Sequence, residues 1–102
     1  MRTFTSRFEG GNLTVYLETD IDHHNAAQLR AEIDAEVAKT RAKRVILNFD
    51  AVGFMDSSGI GLIMGRYKLL QETGGVLKIA ALNPRCQRLI DLSGITVLVG
   101  IQ

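Results

Sequence analysis

The sequence predicts one α/β domain over residues 1–102: a mixed β-sheet with an N-terminal hairpin and helices packed on it, in the order β-β-α-β-α-β-α-β. Three observations carry this. Residues alternate apolar and polar on either side of Glu9-Gly10-Gly11-Asn12, which is hairpin patterning. Further on, stretches with helical spacing alternate with short apolar runs, an order that requires parallel pairing through right-handed crossovers. Finally, 102 residues can bury roughly two-thirds of the chain's surface around one core but cannot build two. No repeat, linker or low-complexity segment interrupts the pattern.

The elements follow in chain order. Phe4, Ser6 and Phe8 alternate with Thr5 and Arg7, and Leu13, Val15 and Leu17 alternate with Thr14, Tyr16 and Glu18, giving the two strands of the hairpin. Between Asn25 and Lys39, Leu29, Ile33 and Val37 recur every fourth residue, while Arg30, Glu32, Asp34 and Glu36 take the opposite face of an amphipathic helix. Asp22 and Asn25 are its capping candidates, Gln28 stands in capping-box spacing to Asn25, and Lys39, Arg41, Lys43 and Arg44 cluster at its cation-favouring end. Val45 to Phe49 is a nearly continuous apolar run, the pattern of an internal strand covered on both faces. Ile60, Ile63, Met64, Tyr67 and Leu70 predict a helix from about Ser57 to Glu72, stopped by Gly74-Gly75. A strand follows from Val76 to Ala81. Asn83-Pro84 opens a helix that runs to Ser93 with Gly94 just past its end, and Thr96 to Ile101 closes the chain as a strand.

Composition excludes several functions. Twelve Lys and Arg against eleven Asp and Glu leave a net charge of +1, without the basic field that nucleic acid or an anionic membrane surface attracts. The longest apolar or glycine run, Gly59 to Gly65, is far shorter than the ~20 residues of a membrane span. The N-terminus lacks a secretory pattern and Cys86 is the sole cysteine, so the expectation is a cytoplasmic chain. His23 and His24 are neighbours without further ligands and read as surface residues near a helix start rather than a metal site; no cofactor is expected.

The informative segment is Phe54-Met55-Asp56-Ser57-Ser58-Gly59-Ile60-Gly61, a strand-to-helix junction where unsatisfied N–H groups and the positive end of a helix dipole gather. Gly59, Gly61 and Gly65 are spaced G-x-G-x-x-x-G, one residue longer than a dinucleotide fingerprint, and lie within the helix rather than before it. D-S-S-G is not the G-x-S-x-G of a nucleophile elbow, and the two histidines lie far upstream. Either Asp56 or Ser57 caps the helix. With one of them in that role Ser58 is redundant for capping, and its hydroxyl is left in a first turn weakened by the following glycine.

At these residues the sequence resembles a known family. Asp56-Ser57-Ser58-Gly59 continuing through Ile60 to Lys68 is similar to the signature of the anti-sigma factor antagonists, the STAS-domain regulators of bacteria. Ile21-Asp22-His23-His24-Asn25-Ala26 resembles the opening of the family's first helix, and both segments are most similar to its stage II sporulation member. The resemblance runs from the first hairpin to Gly94. It implies a switch and not an enzyme: the unphosphorylated protein binds an anti-sigma factor that is also a serine kinase, and so releases a sigma factor. Phosphorylation of Ser58 turns it off, and a serine phosphatase restores it. ATP and Mg²⁺ belong to the kinase. Asp22 and Asp56 match acidic positions beside the phosphorylation site and are the implied partner-binding or site-shaping residues; Met55, Ser57 and Gly59 are further expected partner-binding positions, and a monomer is expected. The alternative is a STAS-like ligand-binding or structural module of a sensor or transporter. Family members commonly carry a further C-terminal segment, so these expectations concern the switch site alone.

Of the remaining residues, Cys86 lies on the inward stripe of the third helix and reads as a buried inert thiol. Met64 shares a helical phase with Ile60 and Ile63 and belongs in the core, Phe54 and Met55 read as an exposed contact patch, and Arg66 and Lys68 as a solvated face.

Overall fold

A computed structural model describes residues 3–102. Strands β1 (Phe4–Glu9) and β2 (Asn12–Leu17) form the hairpin, followed by α1 (Ala26–Thr40), β3 (Arg44–Asn48), α2 (Ser57–Glu72), β4 (Val76–Ala80), α3 (Pro84–Ser93) and β5 (Gly100–Ile101). Gly10 and Gly11 both take positive φ (60° and 81°), which lets the hairpin turn close without steric cost. The sheet order is β1-β2-β3-β4-β5, antiparallel between β1 and β2 and parallel thereafter.

Each crossover from β2 onward steps to the next strand in the same direction. Right-handed connections of that kind lay every helix on one side of the sheet. Leu13, Val15, Leu17, Val45, Leu47, Leu77 and Ile79 therefore share one core with Leu29 and Ile33 of α1, Leu62, Ile63 and Leu70 of α2, and Cys86 and Ile90 of α3. The result is a two-layer slab measuring 33 × 31 × 20 Å. β3 is the middle strand, as its apolar run implies, but only its Val45 and Leu47 side is fully buried. Ile46 and Asn48 face the open side and are half-covered. The expectation of a strand covered on both faces is corrected accordingly: strands wound in one direction leave the second face without helices. Phe49 lies just past the strand and is fully buried.

Two element ends differ from expectation. The capping box of α1 sits one turn earlier than Asn25 to Gln28. Asp22 Oδ1 accepts from the Asn25 N–H at 3.1 Å while Asn25 Oδ1 accepts from the Asp22 N–H at 3.1 Å, and Gln28 instead donates to Glu32. At the C-terminus the expected strand from Thr96 is replaced by a 3-10 turn over Ile95–Val97, and pairing is confined to β5. Gly94 caps α3 in the left-handed region, and its carbonyl and that of Ile95 accept from Val97, Leu98 and Val99, so those N–H groups are used before a ladder can form.

Candidate functional site

Three loops leave the C-terminal ends of β2, β3 and β4 at one end of the sheet, where crevices of parallel sheets form. Side chains and backbone lock them together. Ile21 and Met55 pair as an isolated parallel bridge, in which the Ile21 N–H donates to the Phe54 carbonyl and the Asp56 N–H to the Ile21 carbonyl, both at 3.1 Å. Asp20 Oδ1 accepts from the N–H groups of Gly53 (2.9 Å) and Phe54 (3.1 Å). Asn83 caps α3 by accepting from the Cys86 N–H at 2.8 Å, and its amide donates to the carbonyls of Val52 and Gly53, both at 3.1 Å. The two sequence motifs, D-H-H and D-S-S-G, are thus fixed side by side on a rigid base. Asp20 carries no motif signal in the sequence, and Asn83 is legible there only as a helix cap, not as the link to the Val52 and Gly53 carbonyls.

Asp56 is the cap of α2, its Oδ1 accepting from the Ser58 N–H at 2.7 Å. Ser57 is exposed and Ser58 half-covered in the first turn, as expected once Asp56 takes the cap. Asp56 is held below the ordinary carboxylate range chiefly by the Ser58 N–H. Partial burial opposes that shift, and the Ser58 hydroxyl and His23 reinforce it. His23 Nδ1 lies 3.7 Å from Asp56 Oδ2, and His24 Nδ1 lies 3.8 Å from Asp22 Oδ1. The two imidazoles, both exposed, lean together with centroids 4.0 Å apart. Asp22 also accepts from the His24 N–H at 2.8 Å, so its carboxylate is committed to the turn before α1.

Two expected contact residues are placed differently. Met55 is only 4% exposed, because the bridge to Ile21 turns its side chain under the start of α2. Gly59 is buried directly against it: a Cβ at Gly59 would stand 2.6 Å from Met55 Sδ, so any larger residue has to displace the Met55 side chain. Phe54 remains exposed, as expected of the patch. Arg66 is not on a solvated face. It is 5% exposed, follows Leu62 on the inward stripe, and places Nε 2.6 Å from Asp34 Oδ1 of α1. The N–H is not aligned on that oxygen, so the contact is Coulombic rather than a well-formed hydrogen bond. Lys68 is exposed, Met64 packs against the core, and Cys86 is buried with its thiol pushed up by desolvation, as an inert core cysteine requires.

Comparison with known proteins agrees with this fold. The STAS-domain family profile matches residues 3–102. The chain is 36% identical over 91 residues to the anti-sigma F factor antagonist of Paenibacillus polymyxa, covering 89% of this chain and 78% of that protein. It superimposes on the anti-sigma factor antagonist SpoIIAA in its unphosphorylated form with a TM-score of 0.82 at 27% identity, covering 97% of this chain and 87% of that one. The Bacillus cell fate determinant SpoIIAA in the phosphorylated form gives a TM-score of 0.73 at the same identity, covering 97% and 90%.

Proposed function

The chain belongs to the STAS-domain family, and on that premise we propose that it is an anti-sigma factor antagonist switched at Ser58. The unphosphorylated form binds an anti-sigma factor with serine kinase activity and releases a sigma factor. Transfer of the ATP γ-phosphate to the Ser58 hydroxyl, with ATP and Mg²⁺ held by that kinase, ends the binding. A serine phosphatase reverses it. The protein acts in this reading as a monomeric cytoplasmic regulator and not as an enzyme. No helix among the described residues is long and apolar enough to cross a membrane.

One observation carries the proposal: Asp56 supplies the cap, and Ser58 therefore presents a hydroxyl with no capping duty on a surface fixed by the locked D-H-H and D-S-S-G loops. Asp22, Asp56 and Ser57 shape or contact the partner surface, whereas Gly59 and Met55 support it from beneath. The reading as a sensor or transporter module has less behind it, since the 36%-identical relative is named an antagonist. Incubation with the cognate kinase and Mg-ATP is the test. One phosphate at Ser58, absent in Ser58→Ala, is expected; a phosphate on Ser57, or modification that persists in Ser58→Ala, contradicts the assignment.

A further inference from the structure

Ser58 does not stand on an open helix end. Together with Gly61 and Leu62 of α2 it forms one wall of a groove of about 310 Å³, and the other wall is His23, Ala26, Ala27 and Arg30. The spacing explains the groove: Ser58, Gly61 and Leu62 share one face of α2, and Ala26, Ala27 and Arg30 share the facing side of α1. Ala26, Ala27 and Gly61 are small, and a Cβ at Gly61 would meet nothing within 4 Å, so the space between the helices is unfilled.

The charges in this groove are unbalanced. The described ion pairs are Arg7 with Glu9, His23 with Asp56, His24 with Asp22 and Arg66 with Asp34, and none includes Arg30. Arg30 lies close enough to Arg66 to disfavour the latter's charge, and the nearby Asp34 carboxylate is paired to Arg66. Groups facing His23 are Asp56 from the start of α2, the tilted ring of His24 with Asp22 behind it, and Arg30 and Ser58 along the groove. A dianion placed here meets a planar five-donor guanidinium suited to phosphate oxygens.

Resting on the switch reading above, we propose that the phosphate on Ser58 is held by its own chain, in the α1–α2 groove, by Arg30 with His23 as a second donor. The phosphorylated form is then a self-occupied state: the groove is filled from within, the Arg30 cation is neutralised, and His23 is drawn away from Asp56. Asp56 borders the groove through its contact with His23 and opposes the phosphate, so Arg30 has to outweigh it.

The test uses full-length protein carrying phosphoserine at position 58 introduced during translation, so it does not depend on any kinase. Phosphorus NMR titration reads the second ionisation of the phosphate, ordinarily near 6. A neighbouring cation lowers it, here by about one unit. Arg30→Gln is expected to return it toward the ordinary value, Arg30→Lys to keep part of the shift, and His23→Gln to remove a smaller part. Arg30 is exposed, so these variants fold, and thermal melting checks this. A phosphate that titrates identically in the native chain and in Arg30→Gln overturns the proposal. If a parallel kinase reaction leaves Ser58 unmodified, the switch reading fails instead, and the two failures are distinct.

Discussion

At the scale of single residues the proposed switch rests on a division of labour between Asp56, Ser57 and Ser58. Asp56 alone caps α2, so Ser57→Ala should change stability by less than about 0.5 kcal/mol, since it is exposed and makes no capping bond. Asp56→Ala should lower Tm measurably, and Asp56→Asn should keep most of the cap. The carboxylate adds a pH dependence of known sign. Its folded pKa lies below the ordinary 3.8, so its stabilisation is fully present above that value and is lost as pH falls through the lower folded one. Denaturant melts of the native chain and Asp56→Asn should run parallel at neutral pH and converge below about 3.8; parallel behaviour throughout would assign the acid loss to other groups. That Ser58 is left without capping duty was legible from sequence, because helix capping needs one short polar residue and the motif supplies three. Met55 was not. Whether an apolar loop residue points in or out depends on its bridge to Ile21, a contact between segments far apart in the chain.

At the scale of elements, α1 and α2 are joined by a contact that charge patterning conceals. Asp34 sits among the polar positions of α1 and Arg66 follows a run of apolar residues, and only the packing of the two helices brings Nε within 2.6 Å of the carboxylate. Removing one partner of such a pair leaves the other unpaired. Asp34 is one-third exposed, which moderates the cost, so Asp34→Ala should destabilise by about 1–3 kcal/mol. The double variant Asp34→Leu, Arg66→Met should recover most of that loss in denaturant melts, and additive losses would mean that the pair is not coupled. The start of α2 has its own constraint. Gly59→Ala gains helix propensity but drives a methyl toward Met55 Sδ, and a net loss of about 1 kcal/mol is expected. The ends of α2 and α3 were legible through their caps and glycine stops. β5 was not, because Thr96 and Val97 favour strands locally while Gly94 commits the following N–H groups to a 3-10 turn.

For the molecule as a whole, the strand order places every helix on one face and gathers the β2, β3 and β4 loops at one end. The alternation of strands and helices foretold the mixed sheet and its central β3. It could not foretell the bare face, because covering both faces needs a reversal of strand order, which no local pattern encodes. Amide exchange should follow this plan, with Ile46 and Leu47 among the slowest and Gly100 and Ile101 fast. Slow exchange at β5 would require more pairing than two residues supply. The same rigid base bears on the switch. A phosphate adds about −1.5 to −2 charges at a helix N-terminus that attracts it by roughly 0.3–1 kcal/mol, with Asp56 opposing. The fold should therefore survive modification with little change in Tm, and the effect should be felt at the partner surface. In the proposed complex that charge is to be desolvated against a site that otherwise takes a neutral hydroxyl, at an expected cost of about 2–5 kcal/mol.

The most direct measurement is calorimetric binding of the unphosphorylated and Ser58-phosphorylated protein to the cognate anti-sigma factor, with thermal melts of both forms alongside. The account predicts affinity falling by roughly thirtyfold to several-thousandfold on phosphorylation, retained binding by Ser58→Ala, weakened binding by Ser58→Asp and nearly unchanged melting. Equal affinities of the two forms would contradict the switch, and a large fall in Tm would replace its local mechanism with unfolding.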